Sequence, residues 1–219
     1  MLISAKLINY AYGHYGFVSF FIYGKQGTGK TTYCLKVLKE AYGDWDIVLK
    51  NTYFYIDTLI PRLKQCVKEG KRIKAILLDD AGVWLIKYQW FKRFPIWFGK
   101  LWNLMRTVCS GILFTSVEVC DIIKFVRDKI EYRISIVPLS DVERMAKAYK
   151  VRVLPSMDKI IEKAYYDYFT LRLPGDVRKE YEEMRREALE RLMKELEGKG
   201  REKDELVDVD LGDVRELIE

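Results

Sequence analysis

Two groups of residues in this chain have the types and spacing to bind and cleave a polyphosphate. The first is Gly24-Lys25-Gln26-Gly27-Thr28-Gly29-Lys30-Thr31, a complete G-x-x-x-x-G-K-[ST] pattern. Glycines at 24, 27 and 29 permit the backbone to curl so that successive N–H groups face one anion. A helix opening near Lys30 adds the positive end of its dipole. In such a loop Lys30 reaches the β- and γ-phosphate oxygens, the Thr31 hydroxyl ligates magnesium, and Gly24 to Thr32 enclose the phosphates.

The second group is Asp79-Asp80, which ends the apolar run Ile73-Lys-Ala-Ile-Leu-Leu. It resembles a Walker B strand. A buried parallel strand delivers its carboxyl end to the crevice that holds the nucleotide, which places Asp79 to hold hydrated magnesium and Asp80 to act as general base. A later apolar run, Gly111-Ile-Leu-Phe-Thr115-Ser116, ends in two hydroxyls. Thr115 and Ser116 either sense the γ-phosphate or cap the helix expected over Val117 to Lys129.

Hydrophobic periodicity supplies the elements that must position these groups. Strands are predicted at 17–23, about 46–50, 73–78, 111–116 and 131–137, with helices near 30–42, 56–69, 84–106 and 118–129. That alternation predicts an α/β fold, a central parallel sheet with helices on both faces. Alternation around Tyr149 to Val153 and Phe169 to Leu173 predicts antiparallel edge strands, and Ser140-Asp141-Val142-Glu143 reads as a capping box opening a short helix. After Pro174, the stripe Val177, Tyr181, Met184, Ala188, Leu192 and Leu196 predicts an amphipathic helix to about residue 198. The chain thus divides into 1–173, a phosphate-loop domain with its edge addition, 174–198, a helix, and 199–219, a mobile acidic tail.

Composition bounds the partners. Asp204 to Glu219 carries seven acids and one base, so of a total formal charge of +6 the body, residues 1–203, holds about +12. Basic residues gather at Arg62, Lys64, Lys68, Lys71, Arg72 and Lys74, and again at Lys87, Lys92, Arg93, Lys100 and Arg106, a surplus suited to a phosphate backbone. Trp84 to Trp102 holds four of the five tryptophans, more aromatic surface than one buried stripe can cover. A neighbouring subunit, a partner protein or stacked bases would cover the rest. The cysteines, Cys34, Cys66, Cys109 and Cys120, lack metal-ligand spacing and read as reduced structural thiols. His14, the only histidine, reads as a loop residue, and the uncharged stretch Leu7 to Gly24 as neither signal peptide nor membrane span. The scarcity of Asn and Gln is typical of proteins from hot environments.

Across residues 17–137 the phosphate loop and Asp79-Asp80 resemble the phosphate-loop ATPases that carry an additional catalytic acid, in particular the HerA–FtsK, Zot-like and viral DNA-packaging group. Size and composition look like ATPases of archaeal viruses or plasmids. The resemblance implies that the Thr115-Ser116 strand lies between the loop strand and the Asp79 strand. It also implies ATP and Mg²⁺ as ligands, a ring-shaped homo-oligomer in the host cytoplasm, DNA as partner, and an arginine such as Arg106, Arg127 or Arg133 acting on a neighbour's site. Many members have glutamate where this chain has the shorter Asp80, and glutamine where it has Thr115-Ser116. The function implied is ATP hydrolysis coupled to DNA packaging or transfer. A nucleotide-dependent switch or loader in replication is the alternative, and a small-molecule phosphotransferase a third.

Overall fold

Val18–Tyr23 carries no charge and is rich in β-forming residues, and it forms the middle strand, β1, of a seven-stranded sheet. The computed structural model describes residues 1–81, 94–118, 124–156 and 159–198. In chain order the elements are α1 (Ile3–Gly13), β1, α2 (Lys30–Tyr42), α3 (Trp45–Lys50), β2 (Thr52–Tyr53), α4 (Ile56–Glu69) and β3 (Ile76–Leu78). There follow α5 (Phe94–Val108), β4 (Gly111–Ser116), α6 (Lys124–Arg127), β5 (Tyr132–Pro138), β6 (Glu143–Val153), β7 (Lys159–Thr170) and α7 (Gly175–Gly198).

The strand order is β2-β3-β4-β1-β5-β6-β7, with the first five parallel and the last two added antiparallel. β4 lies between β1 and β3, the order expected for it, with Phe114 beside both Phe21 and Leu78. All three strands therefore release the chain at one edge. Each face of the sheet has its own core. Phe20, Ile22, Leu77 and Leu113 pack against α1, α2 and α3, while Phe21, Ile76, Leu78, Ile112 and Phe114 pack against α4, α5 and α6. The fold is the doubly covered α/β architecture that the periodicity predicts.

Three local expectations are corrected. The strand expected at 46–50 is helix α3, because the Asp44 carboxylate accepts from the Ile47 amide (3.1 Å) and caps it. The edge strand is the two-residue β2 that follows. Ser140 to Glu143 opens no helix; its hydroxyl accepts from the Glu143 amide (3.0 Å) within the turn joining β5 to β6. The third correction is α1, which the periodicity did not show. Its first turn has no side-chain cap of its own. Asp167 of β7 accepts instead from the amides of Ile3 (2.6 Å) and Ser4 (3.2 Å) and from the Tyr33 hydroxyl (2.7 Å). His14 is the residue that ends α1, stacked on Tyr10.

Arg72 fastens the edge of the sheet where the parallel strands begin. Its guanidinium donates to the carbonyls of Arg106 (2.8 Å), Tyr12 (3.2 Å) and Gly16, and stands over the Tyr12 and Tyr15 rings. Lys74 likewise donates to the Ala41 carbonyl (2.5 Å). Both cations thus also serve the fold's own wiring.

Of the helix expected at 84–106, residues 84–93 lie outside the described residues, as do Lys87, Lys92, Arg93, Trp84, Trp90, Cys120 and the tail from 199. Trp102 is buried against Phe17 and Phe114. The described cysteines, Cys34, Cys66 and Cys109, are buried and unpaired. Among the described residues no helix is long and apolar enough to cross a membrane.

Asp167→Ala leaves the first amides of α1 and a buried tyrosine hydroxyl without their acceptor, at a cost of about 3 kcal/mol. Urea unfolding of the variant against wild type measures it. A loss below ~1 kcal/mol would show that the α1 amino terminus needs no such anchor.

Candidate functional site

The loop from Gly24 to Thr31 leaves β1 and enters α2 with three glycines in the left-handed half of φ: +146° at Gly24, +75° at Gly27 and +96° at Gly29. Gly29 is doubly constrained. Its φ is one that side-chain-bearing residues rarely adopt, and a Cβ there would lie 2.4 Å from the Leu171 side chain, just past β7, which would have to move aside. Lys30, only 8% exposed, folds over the loop and donates to the carbonyls of Gly24 (2.8 Å) and Lys25 (3.0 Å). Burial pulls its ammonium pKa below the usual lysine range, while Asp80 and Asp79 pull it back up. Thr28 ties its hydroxyl to the Lys25 carbonyl (2.8 Å).

The loop is also held from outside. Arg144 of β6, 8% exposed, donates from Nε to the Thr28 carbonyl (3.1 Å) and from Nη1 to the carbonyls of Ser140 and Glu143. Arg144 and Lys30 thus engage the carbonyls of Thr28, Gly24 and Lys25, while the Gly24 and Thr28 amides donate to the carbonyls of Val117 (3.2 Å) and Lys25 (3.4 Å).

Asp79 follows β3 directly and is fully buried. Three hydroxyls surround its carboxylate. Thr31 donates at 3.0 and 3.1 Å, Thr115 of β4 to Oδ1 at 2.5 Å, and Tyr181 of α7 to Oδ2 at 2.5 Å. Burial, with Asp80 next to it, raises the Asp79 pKa, and the three donors lower it again. Burial and Asp79 together raise the Tyr181 pKa, so the phenol keeps its proton as a donor.

Thr115 bridges the acid pair. Its oxygen donates to Asp79 and accepts from the Asp80 amide (2.8 Å), so one hydroxyl sets both acids. Asp80 needs that help, because its φ of +48° lies where few non-glycine residues go. Its carboxylate projects into the cleft and pairs with Arg185 of α7 at 3.2 Å.

The cleft holds about 1180 Å³. Its floor is the loop and the acid pair, and its roof is α7. Gln26, Gly27, Gly29, Lys30, Thr31, Thr32, Asp79, Asp80 and Ser116 all line it. Thr115 stands directly behind them, and Gly24 and Lys25 act through their backbone. Arg106 is not brought here. It lies exposed near the end of α5, at the beginning of β4, the length of a six-residue strand (about 20 Å) from the loop. Arg127 ends α6 and Arg133 lies within β5, with a buried Nε that has no hydrogen-bond partner.

Oxygen donors at Thr31 and Asp79, 3.0 Å apart beside a glycine-lined nest, are the hard donor set that magnesium prefers. Two such ligands leave the rest of its coordination to phosphate and water, so the residues fit a metal carried in with a nucleotide. Sequence patterns missed Tyr181, Arg185 and Arg144. Tyr181 was placed on an apolar stripe, and its hydroxyl was the overlooked signal.

Thr115→Val keeps the shape of the side chain and removes the hydroxyl that ties Asp79 to Asp80. The expected result is a loss of about 2 kcal/mol of stability in urea unfolding. A variant as stable as wild type would show that the bridge does not hold the acids.

No family model matches the chain. Over 211 residues it is 36% identical to the uncharacterized protein B-251 of Sulfolobus spindle-shape virus 1, covering 89% of this chain and 84% of that protein. It is 28% identical over 171 residues to the uncharacterized protein ORF286 of Acidianus two-tailed virus, covering 74% of this chain and 56% of that protein. Among solved structures it is similar to the N-terminal domain of zonular occludens toxin from Neisseria meningitidis, with a TM-score of 0.42 and 14% identity, covering 68% of this chain and 95% of that chain. With a phosphate-binding loop and an acid pair facing each other across β4, the chain belongs to the family of B-251 of Sulfolobus spindle-shape virus 1.

Proposed function

We propose that this chain binds ATP with magnesium and hydrolyses it, and that turnover drives DNA movement during packaging or transfer. One observation carries the first part: Thr31 of the loop, Asp79 and Asp80 after β3, and Thr115 of β4 form one bonded set at the mouth of a phosphate nest. The interposed position of β4 supports the additional-acid branch. In this reading the loop amides and Lys30 hold the β- and γ-phosphates. Magnesium would be held by Thr31 and Asp79 and would supply charge neutralisation at the phosphate oxygens. Asp80 accepts the proton of the attacking water, and Thr115 fixes the backbone from which Asp80 projects. Ser116, buried at the same strand end, is within the cleft for sensing the γ-phosphate.

The DNA part rests on charge. Without Arg72 and Lys74 the body remains strongly basic, as counter-ion release on a phosphate backbone requires. Assembly has support in the last turns of α7, where Leu189, Met193 and Leu196 are 53%, 51% and 59% exposed. Of the arginines offered to a neighbouring subunit, Arg106 is exposed and far from its own site, while Arg127 and Arg133 are half-buried.

A switch or loader is favoured by one feature, the Arg185–Asp80 pair, which occupies the base and describes a resting enzyme.

ATP turnover measured with and without duplex DNA tests the proposal. Lys30→Ala should abolish nucleotide binding. Asp80→Asn, tolerated at a positive φ, should keep ATP affinity within about threefold while turnover falls at least about 100-fold. Equal turnover in Asp80→Asn removes the general base, and a rate indifferent to DNA favours the switch. Affinity for duplex DNA should fall steeply between 50 and 200 mM salt, and a flat dependence would rule out backbone contacts.

A further inference from the structure

α7 is fastened on both sides of the nucleotide cleft. On one side Val177 is buried in the core shared with β7, and the Arg178 guanidinium donates to the Leu171 carbonyl (3.5 Å). On the other, Tyr55 donates to the Ala188 carbonyl (2.9 Å), and Arg191 pairs with Asp57 while stacking over the Tyr55 ring at 4.2 Å. Between these anchors its polar contacts are with the two acids of the site, Tyr181 on Asp79 and Arg185 on Asp80.

The two contacts differ in kind. Tyr181 is buried, tilted against Phe54, and belongs to the packing. Arg185 is open, its side chain 62% exposed and that of Asp80 36%. Open ion pairs are weak and exchange partners readily. A guanidinium also fits phosphate as well as carboxylate, because both accept its planar fork of donors. Arg178 and Arg186 line the same cleft, so the roof is cationic beyond what Asp79, Asp80 and Glu182 balance once Lys30 is counted. That excess faces the place where a bound polyphosphate would end.

We propose that Arg185 reads the γ-phosphate within its own subunit. Without nucleotide it is held by Asp80. With ATP it transfers to the terminal phosphate and leaves the Asp80 carboxylate to water, and with ADP the pair with Asp80 stays closed. Arg185 thus discriminates triphosphate from diphosphate and releases the base only when there is a γ-phosphate to attack. The inference rests on the ATP reading of the cleft.

The test is equilibrium binding by the full chain of Mg²⁺ with adenylyl imidodiphosphate or with ADP, followed by displacement of a fluorescent nucleotide. Arg185→Ala should weaken the triphosphate analogue about tenfold and leave ADP within about twofold. Arg185→Lys should recover part of the loss. The decisive comparison repeats Arg185→Ala in an Asp80→Asn background, where no carboxylate remains to pair. A contact with phosphate keeps the tenfold loss there, whereas a merely structural ion pair loses it, which overturns the proposal. Equal weakening of both nucleotides, or of neither, also overturns it. Wild-type chain that binds no nucleotide overturns the ATP reading and this inference together, whereas triphosphate binding indifferent to Arg185 overturns this inference alone. Because the side chain is exposed, thermal unfolding of Arg185→Ala should match wild type, and a matching melt assigns the binding change to the contact.

Discussion

The Asp79 carboxylate is the constraint on which the rest depends. A fully buried carboxylate is costly unless donors replace its water, and here the donors come from three separate elements: Thr31 from α2, Thr115 from β4 and Tyr181 from α7. None of these is near another in sequence. Satisfying one acid therefore fixes the phosphate loop against the central sheet and seats the carboxyl-terminal helix over both. The site is assembled by the same bonds that hold its parts in place.

A second set of restraints acts on the backbone of the loop. Arg144 and Lys30 engage three of its carbonyls, those of Thr28, Gly24 and Lys25, and so fix the path of the chain. Leu171 fills the space that a side chain at Gly29 would need. The antiparallel hairpin, readable in the sequence only as an edge addition, is thereby a structural wall of the loop.

Much of this was legible because it is local. The glycine pattern at 24, 27 and 29, the apolar strand before it and the acids ending the next buried run each declare themselves within ten residues, and β4 falls where its resemblance implied. What was not legible is what one segment borrows from another. α1 has no cap of its own and takes one from Asp167, more than 160 residues away. The stripe on α7 announces a buried face, yet nothing in its spacing says that Tyr181 ends on a carboxylate. Charge counting has the same blind spot: that Arg72 and Lys74 also hold carbonyls of the fold shows only in the folded chain. The short run Ile47-Val48-Leu49 fits helix and strand alike, and Asp44 decides it.

The hairpin of β6 and β7 pairs 11 and 12 residues, and β5 covers only its proximal part, Arg144 to Lys150. β6 alone is about 35 Å long. The hairpin touches the phosphate loop at two points, the Arg144 guanidinium and the Leu171 side chain. Loop and hairpin therefore constrain each other: a substitution at Arg144 or Leu171, more than 110 residues along the chain, reshapes the turn that the glycines make.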